Sequence, residues 1–381
     1  MIPLDHNAGA PLREDSLQAF LAASKEVPAN PSSQHRLGRK AQGVLEDARD
    51  RVAAALHCSA REIFFCATAT EACNLAILGA ARARRAMTGE APLLVGSLAE
   101  HPAVLGCLRL LQQEGFPLQL LPLNGHAQVE QEALVAIPPD SFLALQWANN
   151  ETGAVQPWAK VAELHCGFSH CDAVQGIGKL ALDPTILASS CLAISGHKIG
   201  SPKGIAILRV ADATILEPVF GGGGQQRGIR PGTEAPALAA SFAVALEGAI
   251  ANQARFASEA ASAVAALEDH LFRALPAVRF LHPGAGQPRL PNTASLCFPG
   301  LDGRALLPAL DADGLAVSAG SACSSGSALA SPVLIACGLA EADARATVRV
   351  SFGPGQEAAL GKQVAQIFAK TVGRVYGIAN Q

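Results

Sequence analysis

The sequence predicts an α/β protein in which a large domain on a mostly parallel mixed sheet is followed by a smaller α+β domain. Three observations predict it. From about residue 45 to 210, short apolar runs alternate with amphipathic stretches, the pattern of parallel strands joined by helices. The 381 residues are 50% hydrophobic and 16% charged, enough to bury a large core and too apolar for disorder. Ten cysteines lie at irregular spacing through the chain, unlike the framework of a small disulfide-stapled domain, so most are expected to be reduced and buried.

Taken in order, the expected strands are 62–66 (EIFFC), 93–97 (LLVGS), 118–123 (LQLLPL), 142–147 (FLALQW), 168–172 (FSHCD), 191–195 (CLAIS) and 204–210 (GIAILRV). A long Ala-rich helical region, 234–275, then carries the chain out of the first domain. Beyond it, VRFL, TASLCF, LAVSA and ATVRVSF alternate with DGRALLPAL and EAALGKQVAQIFAK, the texture of a smaller α+β unit. The uncharged stretch between Asp313 and Glu341 is broken by Ser, Gly and Pro, so it reads as loops and short elements rather than a membrane span.

Charge and termini exclude some classes. With 29 basic against 32 acidic residues the net charge is -3, which offers no field to a phosphate backbone or an anionic membrane. Neither nucleic acid nor membrane is expected as a partner. The opening MIPLDHNAGAPL has neither the basic nor the apolar region of a secretory signal, so a cytoplasmic protein is expected.

Several segments carry chemistry. In FFCATATEACNLAILGAARA a strand meets a small-residue turn, Ala67 to Thr70, with a helix opening at about Glu71. Helix N–H groups and a Thr hydroxyl aimed at one spot make a phosphate site without lysine. An ordinary Thr N-cap would look the same. In AISGHKIGSPKG, Lys198 follows a strand and sits among Ser195, Gly196, His197 and Gly200. Ligands of open α/β sheets bind at that strand end, and a desolvated lysine there can form a Schiff base with a carbonyl compound; a solvated loop lysine is the plainer reading. Asp172 ends FSHCD and is followed by Gln175. A carboxylate at that strand end can pair with a protonated ring nitrogen, the partner pyridoxal phosphate needs as an electron sink.

The tetraglycine of FGGGGQQRGIRPGTE lacks the ending of a P-loop; beside Arg227, Arg230 and Thr233 it suits an anion site better. His165, Cys166, His170 and Cys171 superficially resemble zinc ligands. On a strand, however, His170 and Asp172 share one face while Cys171 points to the other, so no metal is expected. Cys323 lies in LAVSAGSACSSGSALAS, a run too rich in Ser and Gly to be core, and is a candidate nucleophile. Cys58, Cys66, Cys107, Cys191 and Cys337 read instead as small hydrophobes. Arg349, within the apolar ATVRVSFG, needs an anionic partner, either a ligand carboxylate or a structural ion pair.

In order along the chain, PLDHNAGAPL, NPSSQHRLGRKA, ATATEACNLAILG, AEHPAVL, NNETGAVQP, HCDAVQGIGK, SGHKIGSPKGIAIL, GGGGQQRGIRPGTE, SAGSACSSGS and VRVSFG resemble the cysteine desulfurases of the NifS/IscS type. These are class V members of the fold-type I pyridoxal phosphate enzymes. The resemblance implies conversion of L-cysteine to L-alanine, with sulfur passed to Cys323 as a persulfide. It implies that Lys198 carries pyridoxal 5'-phosphate, that Asp172 pairs with the ring nitrogen, and that His101 stacks on the ring and assists proton transfers. Gln175 and Asn150 would bond the ring oxygen. Ala69, Thr70, Ser195 and His197 would hold the phosphate, and Thr233 would reach the phosphate of the partner in a homodimer. Arg349, helped by Asn30 and Asn150, would bind the substrate carboxylate.

The same resemblance implies a large domain of residues 13–255, a small domain of residues 1–12 with 256–381, and a sulfur acceptor such as an iron–sulfur scaffold or sulfur carrier. Other readings are a selenocysteine lyase, another class V aminotransferase, or a non-catalytic sulfur-transfer partner. The chain departs from the family in reading ATATE for SGATE and LDHNAG for LDNNAT, changes expected at the phosphate turn or the substrate entrance.

Overall fold

All seven apolar runs expected before residue 210 form strands, each within two residues of its expected bounds. The computed structural model describes residues 1–283, 286–319 and 330–379. Its strands are β1 (Ile2–Pro3), β2 (Ile63–Cys66), β3 (Leu94–Ser97), β4 (Leu118–Leu121), β5 (Phe142–Gln146), β6 (Phe168–Asp172), β7 (Cys191–Ser195), β8 (Ala206–Val210), β9 (Arg279–Phe280), β10 (Thr293–Cys297), β11 (Leu315–Ala316), β12 (Ser318–Ala319) and β13 (Thr347–Ser351). The large sheet has the order β2-β8-β7-β6-β5-β3-β4. Its pairings from β4 through β7 are parallel, and β8 runs antiparallel to both β7 and β2.

Helices cover both faces, which is why the central strands are apolar throughout rather than alternating. On β7, Leu192 and Ile194 enter one core with Leu45, Val52 and Phe242, from helices Arg36–Ala55 and Pro236–Ala251. Cys191 and Ala193 enter the other, with Leu75 and Leu108 from helices Ala69–Thr88 and Pro102–Gln113. This is the period-two division of a strand between two layers.

The Ala-rich region is not one helix. It divides into Pro236–Ala251 and Gln253–Ala274, bent by 64°. Asn252 between them donates from Nδ2 to the Gly248 carbonyl, competing with the backbone ladder there. The second helix packs with Ala358–Ala379 against the sheet β12-β13-β10-β9, burying Leu267, Leu296, Val348 and Phe368 together with Leu4. The segment LAVSA divides between two strands: β11 pairs in parallel with β1, while β12 pairs antiparallel with β13. Among the described residues no single helix is long and apolar enough to cross a membrane.

Candidate active site

Five loops meet at the C-terminal edge of the parallel strands, where open α/β sheets place their ligands. They enclose a cavity of about 320 Å³ lined by Thr70, His101, Asp172, Gln175, Lys198 and Arg349, and also by Ala69, Asn150, Ser195 and His197. Its size lies at the lower end of the usual range for small-molecule sites, about 300–1,000 Å³.

After β2 the chain turns at once into helix Ala69–Thr88, two residues earlier than the sequence suggested. The N-cap is Thr68, whose Oγ1 accepts from the Glu71 N–H at 3.1 Å, while Glu71 Oε2 accepts from the Ala67 N–H at 2.7 Å. This reciprocal cap leaves Ala69 and Thr70 in the first turn, at the positive end of the helix. Glu71 is also held by Arg230 Nε at 2.6 Å. Arg227 stacks over Phe64 and donates to the Ile63 carbonyl, so both arginines of the expected anion site are engaged within the chain.

His101, after β3, is the N-cap of Pro102–Gln113, and its Nδ1 accepts from the Ala103 N–H at 3.1 Å. The neutral ring therefore carries its proton on Nε2. Asp172, at the end of β6, accepts from the Val174 N–H at 3.0 Å. Burial raises its pKa, opposed by the charges of His101 and Lys198. After β7, Ser195 Oγ lies 2.8 Å from His197 Nδ1, and burial with two neighbouring lysines, Lys198 and Lys203, pushes His197 down to about 4. Lys198 Nζ donates to the carbonyls of Asn7 and Ala8, the latter at 2.8 Å. Lys203 is exposed and takes no part in the cavity.

Arg349 in β13 is 1% exposed. Of the two expected kinds of partner the structure shows the ion pair: one terminal nitrogen is paired with Asp5 and the other donates to the Asn150 carbonyl at 3.1 Å, while Nε is buried without a partner among the described residues. Asn30 and Thr233 do not reach this cavity. Both are exposed, and Asn30 Oδ1 caps the Ser32 N–H instead. Cys323 lies outside the described residues. No group of metal-ligating side chains occurs among the described residues. His170 sits 3.4 Å from Cys73 Sγ, and Cys171 belongs to the opposite core.

Sequence reasoning missed four neighbours. Asn7 joins the N-terminal segment to the site, donating from Nδ2 to the Asn150 carbonyl and to Thr293 Oγ1. Lys179 is buried beneath it. Glu100 is buried beside His101, accepting from Ser97 Oγ and from the Gln146 N–H. Cys73 lines the cavity itself. The adjacency of Glu100 to His101, and the four-residue spacing of Gln175 and Lys179 in QGIGK, were the available signals. His6, in the LDHNAG departure, lines a second cavity of about 310 Å³, which also takes in Lys179 and has Lys198 in common with the first.

The donor set suits pyridoxal phosphate. An amine is present for its aldehyde, a buried carboxylate for its ring nitrogen, a helix N-terminus with hydroxyls for its phosphate, and an unsatisfied buried guanidinium N–H for an anionic substrate group. Comparison with known proteins agrees. Residues 2–359 match the family described as aminotransferase class-V. A Mycobacterium tuberculosis protein described as an IscS-like cysteine desulfurase is 35% identical over 368 residues, covering 93% of this chain and 91% of the relative. The solved structure of a NifS-like protein superposes with a TM-score of 0.88 at 27% identity, covering 99% of each chain. SspA, solved in complex with cysteine, gives 0.77 at 30% identity over 93% of this chain and 100% of its own. An amine, a carboxylate and an arginine on one cavity, in a chain related to these proteins along nearly its whole length, have one common explanation: the chain belongs to the class-V aminotransferase family, among the pyridoxal phosphate enzymes of the NifS/IscS cysteine desulfurase type.

Proposed function

We propose that the chain is a pyridoxal phosphate-dependent cysteine desulfurase that converts L-cysteine to L-alanine and takes the sulfur on one of its own thiols. The carrying observation is that Lys198, Asp172, His101 and Arg349 share one cavity. Support for the substrate comes from the relative described as a cysteine desulfurase and the neighbour solved with cysteine.

When held there, the cofactor supplies an electron sink for charge developing on the substrate's α-carbon. Lys198 would carry it, and Asp172 would keep a proton on the ring nitrogen. Ala69, Thr70, Ser195 and His197 would hold the phosphate, with Gln175 and Asn150 at the ring oxygen. His101 would move the proton on its Nε2, since Nδ1 is committed to Ala103. Arg349 would turn its unsatisfied Nε–H to the substrate carboxylate. Cys323 Sγ would form a new S–S bond as the substrate's C–S bond breaks. The electron pair of that bond returns to the substrate carbon, which is protonated and leaves as alanine.

Thr233, exposed and away from its own chain's cavity, would complete the phosphate site of a second copy in a homodimer. The exposed Asn30 would help in the substrate site only through the same assembly or a local movement. Residues 13–255 would form the cofactor-holding domain, and residues 1–12 with 256–381 the small domain, a division supported by the separate core around Leu4, Leu267 and Phe368. The persulfide would pass to an acceptor such as an iron–sulfur scaffold or sulfur carrier, in a cytoplasm that keeps thiols reduced.

Alanine and sulfide release from L-cysteine, measured with and without reductant, tests the activity. Lys198→Ala should lose both turnover and the borohydride-reducible cofactor, while Lys203→Ala keeps them. A Lys198→Ala enzyme that still turns over cysteine normally would overturn the assignment.

A further inference from the structure

Lys179 is a buried amine that the proposed reaction does not use. It is 6% exposed, and its Nζ donates to two side-chain amide oxygens, Asn7 Oδ1 at 2.8 Å and Gln175 Oε1 at 2.6 Å. An amine that donates to both oxygens fixes which way both amides face. With Oε1 committed to Lys179, Gln175 turns Nε2 away from it, and one Nε2 hydrogen goes to the Asn7 main-chain carbonyl at 2.9 Å. That same carbonyl accepts from Lys198. Gln175 also lines the cofactor cavity, so the group it can offer there is an N–H donor, not an acceptor.

We propose that Lys179 is a positioning residue that, by holding Gln175 Oε1 and Asn7 Oδ1, makes Gln175 an obligate N–H donor toward an anionic ring oxygen of the aldehyde held on Lys198. The inference rests on the cofactor reading above and deepens it. Burial, together with Lys198 and Arg349, holds the Lys179 amine well below the usual lysine range, and its two hydrogen bonds to amide oxygens define its work here. The titratable groups around the network are Lys198, Arg349 and His6 on the Lys179 side, and Asp172, His101 and His197 around the cavity.

The consequence is spectroscopic. With the aldehyde held there, the Lys198 ammonium would lose two of its three hydrogens with the carbonyl oxygen as water, C=N replacing C=O, and the third would stay on the nitrogen as a proton attracted by the ring oxygen. An N–H donor to that oxygen weakens the attraction, so losing the donor makes the proton harder to remove.

The test is a pH titration of the visible absorbance of the cofactor-loaded enzyme. Lys179→Met should raise the midpoint by about one pH unit, a tenfold gain in proton affinity. Gln175→Ala should raise it similarly, and the double variant should rise no further than either alone, because Lys179 acts through Gln175. A Lys179→Met midpoint equal to wild type, or one that adds in full to Gln175→Ala, overturns the proposal. Should the Met variant fail to fold, Lys179→Arg decides. Its guanidinium retains the donors, so an unchanged midpoint supports the proposal and a one-unit rise overturns it. Failure of the underlying reading is separate: Lys198→Ala would then keep a reducible visible band.

Discussion

Glu100 is 2% exposed; burial, with Asp172 nearby, pushes its carboxyl up to about 8. Its Oε1 is bonded by Ser97 and the Gln146 N–H, and Oε2 has no partner among the described residues. Such a group holds a proton in the folded chain that the unfolded chain has already lost. From the ordinary 4.5 up to about 8, the unfolded state binds fewer protons, so stability falls as pH rises and levels off beyond. The Glu100 contribution is present in full below pH 4.5 and gone above about 8. We predict that Glu100→Gln, which keeps the shape without the charge, flattens this slope, a change of roughly 3–5 kcal/mol across the window. Urea denaturation of the apoprotein at a series of pH values measures it. A variant as pH-sensitive as wild type over that window would show that Glu100 ionises at little cost where it sits.

At the scale of elements, Thr68 and Thr70 illustrate how position within one turn separates stability from binding. Both threonines line the cavity, but Thr68 spends its hydroxyl on the Glu71 N–H as the cap of Ala69–Thr88, whereas Thr70 is already in the helix and its hydroxyl is not committed to that cap. Thr68→Ala should therefore cost about 1 kcal/mol of stability, with the smaller effect on cofactor affinity. Thr70→Ala should do the reverse, weakening pyridoxal phosphate binding in an apoprotein titration while leaving the denaturation midpoint nearly unchanged. Equal effects on both measurements would erase the distinction.

The same turn shows what was legible in the sequence. A strand, small residues and an acidic first helical turn predicted a phosphate site there, but not that the cap falls on Thr68, because ATATE offers two threonines and propensity does not choose between them. Strand ends were legible for the same reason throughout: apolar runs stop where the sheet stops, so Asp172, Ser195 and Lys198 could be placed at its edge. Asn7, Lys179 and Glu100 were not, since their meaning lies in contacts such as Asn7 with Gln175 and Lys179, 168 and 172 positions apart in the chain, and no local pattern encodes these. The break at Asn252 was hidden by the helical character of its neighbours on both sides.

Across the whole molecule, environment sets apart the nine cysteines among the described residues as poor acceptors of sulfur. The thiolate is the nucleophile, and its availability falls as burial raises the pKa. Every one of the nine cysteines among the described residues is pushed up by desolvation, Cys58 and Cys337 to about 11 and Cys107 to about 12, with Cys66, Cys73, Cys166, Cys171, Cys191 and Cys297 also raised. Cys73 is the serious competitor, because it lines the cavity, but its thiol is fully buried and tied to His170, itself held neutral by burial with a pKa of about 3. A neutral imidazole that titrates so low is a poor base for a buried thiol. Cys323 remains, in a run that is rich in Ser and Gly in sequence. We therefore predict that Cys323→Ser binds pyridoxal phosphate and L-cysteine as wild type does, yet releases almost no alanine, a loss of at least about 10²-fold in turnover, as expected when a nucleophile is removed. Cys73→Ser should keep most of its alanine release. Mass spectrometry after a single turnover without reductant should find the added sulfur on the peptide containing residues 321–325. Sulfur found on Cys73 instead, in a protein whose Cys323→Ser variant remains fully active, would move the chemistry to the floor of the cavity and make the His170 pair its base.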